Sequence, residues 1–335
     1  MTISDSKPLV SVIIPTYNRP VYLQAAIASV LNQTFQDFEI IVSDDGSRES
    51  CQLLVESFHD PRIHFRRNAT NVGIAWNATY AIRAARGKYI ASLNDDDQWT
   101  AQFLEKLVTS LETHSDLVLA FCDYSVMDAE GTISQALSVQ QSIQEGRDRL
   151  QTGIYHPFYK IGLVDQAVFV SCAAVIRRDV IALDELPSAG VFWDYYLAYQ
   201  ACRSGQGAYY CSERLAQYRR HLQSENMLSG SRDTQAKIRK GRAGIYCYER
   251  FAADAPDPWI QKYFEREWAH ANTTLAIGLM RDRQYATARP YLLRSLSRHP
   301  LNLRTLFALM LSYLPQSLVC PIIHLRDPGL LSRAR

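Results

Sequence analysis

Asp95, Asp96 and Asp97 stand in an unbroken row, one residue (Asn94) after the apolar run Tyr89-Ile-Ala-Ser-Leu93. Three adjacent carboxylates repel one another, and burial would raise their pKa values by penalising the charged form. Full solvation removes that penalty, and so does a divalent cation. Carboxylate and water oxygens without a soft ligand suit Mg2+ or Mn2+, commonly held by one or two carboxylates together with substrate phosphates. From the triplet alone, a solvated acidic turn capping the helix after Trp99 stands level with a metal site. A second acidic group, Asp44-Asp45-Gly46-Ser47, is equally open. Asp and Ser are ordinary helix N-caps, and Gly is an ordinary turn residue.

The elements that would position these acids can be read from hydrophobic spacing. It predicts strands over 10–14, 38–42, 63–65, 88–93 and 117–122, alternating with helices over 21–31, 49–58, 74–85 and 102–111. That alternation argues a parallel α/β sheet, in which ligands sit at the carboxyl ends of the strands. Both acidic groups follow predicted strands and should converge on one crevice. Residues 129–163 are polar and irregular and read as an insertion or loop. Residues 167–176 look strand-like, 192–202 helical and 208–211 extended.

From Thr234 onward the pattern is helical. Asp257-Pro258 is a cap followed by proline at the first helical position, with Ile260, Phe264, Trp268, Ala271 and Leu275 on one stripe. Leu275, Leu279, Ala288, Leu292 and Pro300 are spaced like a single tetratricopeptide unit. Such units need about three in a stack to be stable, so a helical hairpin packed on the main domain is the expectation.

Composition narrows the class. The 335 residues are 47% apolar and 21% charged, which provides a sizeable core and excludes a disordered tail or a disulfide-stapled miniature. A net charge of +2 gives no case for nucleic-acid binding. The balance is uneven along the chain. From Arg281 onward there are nine arginines, no lysine and two acids, a net +7. The other 280 residues carry 27 basic and 32 acidic side chains, a net −5. Seven scattered cysteines without a Cys-x-x-Cys pair read as reduced thiols of a cytoplasmic protein.

Met1 to Pro8 is short and polar, so no secretory signal is expected. Residues 306–323 come nearest to a membrane span, but Pro315, Gln316 and Pro321 interrupt them. In the tail over 301–325, Leu303, Leu306, Phe307, Met310, Leu311 and Leu314 have helical spacing among basic residues. Ordinary core packing and an interfacial helix lying peripherally on the cytoplasmic face of an anionic membrane are both open.

No Gly-x-Gly-x-x-Gly follows the first strand, and no P-loop occurs; Pro15-Thr-Tyr-Asn18 stands in that place. Dinucleotide and P-loop enzymes are thereby disfavoured. Instead, Val10-Ser-Val-Ile-Ile-Pro-Thr-Tyr-Asn-Arg19, Ala28-Ser-Val-Leu-Asn-Gln-Thr34, Glu39-Ile-Ile-Val-Ser-Asp-Asp-Gly-Ser47, Asn71-Val-Gly73 with Asn77, and Gly87 to Asp97 occur in one order. Together they resemble the nucleotide-binding half of a family 2 glycosyltransferase with the GT-A fold. The likeness is close over about the first 125 residues and looser to about 225.

The resemblance implies an α/β, Rossmann-like GT-A domain over 1–230, with a nucleotide half over about 8–125 and an acceptor half over 126–230. An all-helical extension over 231–335 would follow. It implies that Pro15, Thr16, Tyr17, Asp44, Asp45, Asn77 and Asp95 bind the nucleotide. The family's metal-binding Asp-x-Asp motif falls on Asn94-Asp95-Asp96, which puts Mn2+ or Mg2+ on Asp96. Asn94 departs from that pattern where an acid is common, and strand alternation would instead pair Asp95 with Asp97. The catalytic base falls on Asp194 in Val191-Phe-Trp-Asp-Tyr-Tyr196, where Trp193 replaces the usual first acid. Leu215-Ala-Gln-Tyr-Arg-Arg-His221 is similar to the family's Tyr-Arg-x-His ending. His221 would then be a further metal contact, with Arg219 or Arg220 offsetting phosphate charge.

The implied reaction is inverting sugar transfer from a nucleotide-diphosphate sugar, with a UDP-sugar the commoner expectation. The acceptor would be a glycan or glycolipid hydroxyl in cell-envelope assembly. A rival reading is a binding or scaffold protein that keeps the fold without turnover, motivated by Asn94, Trp193 and the helical extension. A nucleotidyltransferase would need a basic glycine-rich loop near the N-terminus, which the sequence lacks.

Overall fold

The computed structural model describes residues 7–221 and 233–314. The first half runs β1 (Val10–Thr16), α1 (Pro20–Leu31), β2 (Phe38–Asp44), α2 (Gln52–Glu56), β3 (Ile63–Arg67), α3 (Ile74–Ala84) and β4 (Tyr89–Ser92). Next come β5 (Gln98–Trp99), α4 (Phe103–Thr113), β6 (Leu117–Met127), β7 (Ile133–Ser134), α5 (Gln135–Gln144) and β8 (Gly153–Tyr155). Then follow α6 (Val170–Ala173), β9 (Ala174–Arg177), α7 (Trp193–Arg203) and β10 (Gly207–Arg219). Every residue of β1 and β2 is buried, which is why both read as nearly continuous β-branched runs. Pro20 opens α1, where its missing N–H has no partner to lose.

The sheet order is β3-β2-β1-β4-β9-β6-β10-β5, with β7 beside β6 and β8 beside β10. The β3-β2-β1-β4 ladder is parallel, as is β6 with β10. Strand β9 runs antiparallel between β4 and β6. β1, β2, β3, β4, β6 and β10 therefore all end on one rim, and β9 begins there. This reversal carries the residues just before β9 to the rim where the acids lie.

Residues 129–163 correct the expectation of a loop, for they hold β7, α5, β8 and short helical turns. Helix α5 buries Ser138 and Ser142, where a helix of this kind usually buries apolar residues. Ser138 Oγ accepts from Val126 N at 2.8 Å and donates to Ser134 O at 2.7 Å. A helix docked through serine hydroxyls leaves no apolar period in the sequence. The strand-like run over 167–176 is likewise divided, its first part forming α6.

Ser188–Phe192, His221 and the described residues over 233–314 form a second compact unit. Its described helices are α8 (Thr234–Ala253), α9 (Pro258–Arg281), α10 (Tyr285–Arg298) and α11 (Leu303–Leu311). Asp233 caps α8 by accepting from Ala236 N at 2.7 Å. Leu275, Leu279, Ala288 and Leu292 share a core with Ile238, Ala308 and Leu311, as the hairpin spacing suggested. Helices α8 and α9 approach closely at Gly241, where a Cβ would lie 2.6 Å from Leu275 N. Among the described residues no helix is long and apolar enough to cross a membrane. Leu303, Phe307 and Met310 of α11 are exposed, while Ala308 and Leu311 face the core. The rest of the tail, from residue 315, lies outside the described residues.

Candidate active site

Register sets the floor of the site. Thr16, Asp44 and Arg67 are neighbours across β1, β2 and β3 at the rim. Strand β4 stops at Ser92, and the acids after it lie on a turn that Asp97 N closes on Asn94 O at 3.2 Å. Strand alternation therefore does not govern the triplet, and each carboxylate has its own surroundings.

Asp95 Oδ2 accepts from Thr16 Oγ1 at 2.7 Å and from Tyr17 N at 3.3 Å. One guanidinium nitrogen, Arg19 Nη1, bridges Asp95 Oδ1 at 3.1 Å and Asp96 Oδ2 at 2.8 Å. Burial, with Asp96 beside it, pushes Asp95 up to about 6, although Arg19 and Thr16 pull against the rise. Asp97 is fully buried; its Oδ1 accepts from Arg219 N at 2.8 Å and its Oδ2 from Asn94 Nδ2 at 3.2 Å. Burial and Asp96 push its carboxyl well above the usual range. Asp97 thus pins β10 to the turn, and Asp95 and Asp96 are the two acids that share one cationic partner.

Asp45 is held by three donors: Asn68 Nδ2, Val72 N and Gly73 N, each at 2.9 Å. Its own N–H donates to Thr16 O at 2.9 Å, so Thr16 joins Asp45 to Asp95. Gly46 makes this possible: φ is +71°, and a Cβ would lie 2.7 Å from the Thr70 carbonyl carbon. Asp44 closes the turn by accepting from Ser47 N at 2.9 Å. Its other oxygen is buried without a hydrogen bond, 3.5 Å from Arg67 Nε. Asn77 is also buried. Its amide donates to Ser43 O at 2.7 Å and accepts from Ser43 Oγ at 2.6 Å and Asn68 Nδ2 at 3.0 Å. Asn77 therefore braces Asp45 through Asn68.

Asp194 lies in the first turn of α7, where the helix dipole favours an anion. Its Oδ1 accepts from Tyr195 N at 2.8 Å and its Oδ2 from Ser171 Oγ at 2.7 Å. Burial raises its pKa, while the Ser171 and backbone donors lower it. Ser171 stands just before β9, and its carbonyl accepts from Asn94 N at 3.0 Å. Asn94 Nδ2 also lies 3.4 Å from Ser171 Oγ. Hydrogen bonds thus run from Asp45 through Thr16 to Asp95, and from neighbouring Asn94 through Ser171 to Asp194. The two acidic regions of the sequence meet on one rim.

Of the other expected residues, Pro15 is buried in β1 and Tyr17 is 44% exposed. Arg219 and Arg220, either of which was expected to offset phosphate charge, both have partners within the protein. Arg219 is 4% exposed, and its guanidinium donates to Asp96 O at 2.8 Å, Asp128 O at 3.1 Å and Ala129 O at 3.0 Å. Carbonyls occupy it. Arg220 donates to Gln141 Oε1. His221 belongs to the second unit. Sequence reasoning overlooked Arg19, Ser171 and Asn68. Arg19 lay in plain view within Tyr-Asn-Arg-Pro, but nothing in that string says which acid it meets.

Among the described residues no three His, Cys, Asp or Glu side chains group closely enough to hold a metal ion. The donor set nonetheless fits an ion taking one or two carboxylates from protein and its remaining oxygens from phosphate and water. Asp95 and Asp96 turn oxygens toward one point, and the charge standing there, on Arg19, is already positive.

A glycosyl transferase family 2 model matches residues 11–182, just over half of the sequence. The chain belongs to glycosyl transferase family 2. An uncharacterized glycosyltransferase of Methanocaldococcus jannaschii is 39% identical over 131 residues, 38% of this chain and 45% of that protein. The Escherichia coli UDP-Glc:alpha-D-GlcNAc-diphosphoundecaprenol beta-1,3-glucosyltransferase WfgD is 32% identical over 133 residues, 40% of this chain and 52% of WfgD. The chain thus spans about half the length of each. S. aureus TarS 1–349, solved with UDP-GlcNAc, superposes with TM-score 0.57 at 14% identity, covering 92% of this chain and 90% of that one. The mannosyltransferase PcManGT of Pyrobaculum calidifontis, solved with GDP-Man and Mn2+, gives 0.53 at 17% identity, covering 98% and 87%. These likenesses show the fold, a GT-A-type mixed sheet followed by a helical region.

Proposed function

We propose that the chain is a metal-dependent, inverting glycosyltransferase that moves a sugar from a nucleotide-diphosphate sugar to a glycan or glycolipid hydroxyl. The observation that carries this reading is the hydrogen-bonded path joining Asp45, Asp95 and Asp194 on one rim. Tyr17 and Asp45 receive the base and ribose, supported by Thr16, Asp44 and Asn77. Asp95 and Asp96 face the diphosphate, with Asp96 as the residue that would hold Mn2+ or Mg2+. That ion, when bound, supplies Lewis-acid neutralisation of the leaving diphosphate. Asp194 takes the proton from the acceptor hydroxyl as the oxygen attacks the anomeric carbon from the face opposite the diphosphate. The new bond then has inverted configuration, and no covalent enzyme intermediate forms. The names of family members and fold neighbours support a nucleotide-sugar donor and an envelope polysaccharide or lipid-linked acceptor.

The test is release of nucleoside diphosphate from a panel of UDP-, GDP- and dTDP-sugars with Mn2+. Slow hydrolysis of one donor class without acceptor is expected. Binding of a donor with no turnover on any acceptor would favour a scaffold instead.

Ser171 supports the base, and its removal has a signed consequence. Ser171→Ala deletes a donor that stabilises ionised Asp194, so the apparent pKa of the base rises. A base works only when ionised. The acid limb of the kcat/KM profile should therefore move to higher pH, and Ser171→Thr should restore it. An unmoved limb in Ser171→Ala would remove Ser171 from this role.

A further inference from the structure

Two neighbouring carboxylates at the rim, with side chains only 5% and 9% exposed, repel each other unless a cation stands between them. Here the cation is part of the chain. Arg19 Nη1 lies 3.1 Å from Asp95 Oδ1 and 2.8 Å from Asp96 Oδ2. A Mg2+ ion at ~2.0–2.1 Å from the same oxygens would sit beside the guanidinium charge. The two cations exclude each other. Arg19 is also placed to leave. Its side chain is 23% exposed, and it precedes Pro20 at the start of α1 outside helical geometry, with φ −134° and ψ 55°. A planar guanidinium pairs with carboxylate and with phosphate by the same fork of donors, so a diphosphate offers it an equivalent partner.

We propose that Arg19 is a displaceable counter-charge, holding Asp95 and Asp96 together without donor and passing to the diphosphate when cation and nucleotide arrive together. The inference rests on Asp96 as the metal-binding residue. Two consequences follow. Metal alone binds weakly, because it must break the pairs of Arg19 with Asp95 and Asp96 and offers no phosphate in return. Metal with nucleoside diphosphate binds well, because the same event gives Arg19 a new partner. Ion and nucleotide are thus coupled by a side chain as well as by direct coordination.

The experiment titrates the full chain with Mn2+ alone, reading free Mn2+ by electron paramagnetic resonance, for wild type, Arg19→Met, Arg19→Gln and Arg19→Lys. Arg19→Met should bind Mn2+ about tenfold tighter than wild type. With Mn2+ saturating, the same variant should bind UDP or GDP about tenfold more weakly by calorimetry. Mn2+ binding no tighter than wild type would overturn the counter-charge. Nucleotide binding unchanged would overturn the passage to diphosphate. Should Arg19→Met fail to fold, Arg19→Gln carries the test, since it too removes the charge and Mn2+ binding should again tighten, whereas Arg19→Lys keeps a cation beside the two carboxylates and should bind Mn2+ as weakly as wild type. Asp96→Ala, alone and combined with Arg19→Met, separates the two claims. If Mn2+ binding survives Asp96→Ala, the ion sits elsewhere, and both the metal assignment and the proposal fall.

Discussion

Asp194→Asn is expected to lower kcat by ~10²–10⁴-fold, the usual contribution of a positioned general base, while nucleotide affinity stays within about twofold of wild type. The amide keeps the shape of the carboxylate: its oxygen can accept from Tyr195 N while its NH2 donates to Ser171 Oγ, but it cannot take a proton. The contrast between lost turnover and retained binding isolates a chemical role from a structural one. Trp193 stands where a second acid would be, so no adjacent carboxylate can replace Asp194. Near-normal turnover in Asp194→Asn would assign the base elsewhere. Burial raises the pKa of Asp194 although the Ser171 hydroxyl and backbone N–H donors work in the other direction. A higher pKa makes a stronger base, provided the group is still ionised at the working pH.

Arg147→Met is expected to cost about 3–5 kcal/mol of stability, read as a lowered midpoint of chemical denaturation. The Arg147 side chain is wholly buried, with Nε 2.8 Å from Asp123 Oδ1 and a further ion pair to Glu145. Its guanidinium lies 4.0 Å over the Tyr124 ring. Removing it leaves the Asp123 carboxylate, 8% exposed, with Arg214 Nε and Ser142 Oγ, each at 3.2 Å. Truncating one partner of a buried ion pair is severe because the charge left behind is less well compensated. Arg147→Met with Asp123→Asn should recover part of the loss, and a single variant within ~1 kcal/mol of wild type would contradict the account. The effect reaches the site. Arg147 Nη1 also meets Ala167 O at 3.4 Å, four residues before Ser171, so activity should fall with stability.

These two residues show what could and could not be read from the chain. The strand ends carrying Asp45 and Asp95 were legible because β2 and β4 are buried throughout and so advertise themselves as apolar runs. Asp194 was legible only through family likeness, since an aspartate opening a helix looks the same whether it caps or catalyses. Helix α5 was invisible because its docked face is serine, and Arg147 was invisible because Asp123 and Tyr124, which meet its guanidinium, lie on β6, well before it in sequence. Ser171 required the direction of β9. Only a strand running against β4 brings the residue before it to the ends of the parallel strands. The triplet shows the limit of period-two reasoning most clearly. Asp95 and Asp97 differ in burial and partners because the strand has already ended, so the turn governs where each carboxylate points.

The most direct test of the central claim is a crystal structure of the full chain with Mn2+ and a bound donor. The expected result places the ion on Asp96, the base and ribose beside Tyr17 and Asp45, Arg19 on the diphosphate, and Asp194 facing the anomeric carbon. A donor seated away from this rim, or an anomeric carbon out of reach of Asp194, would contradict it.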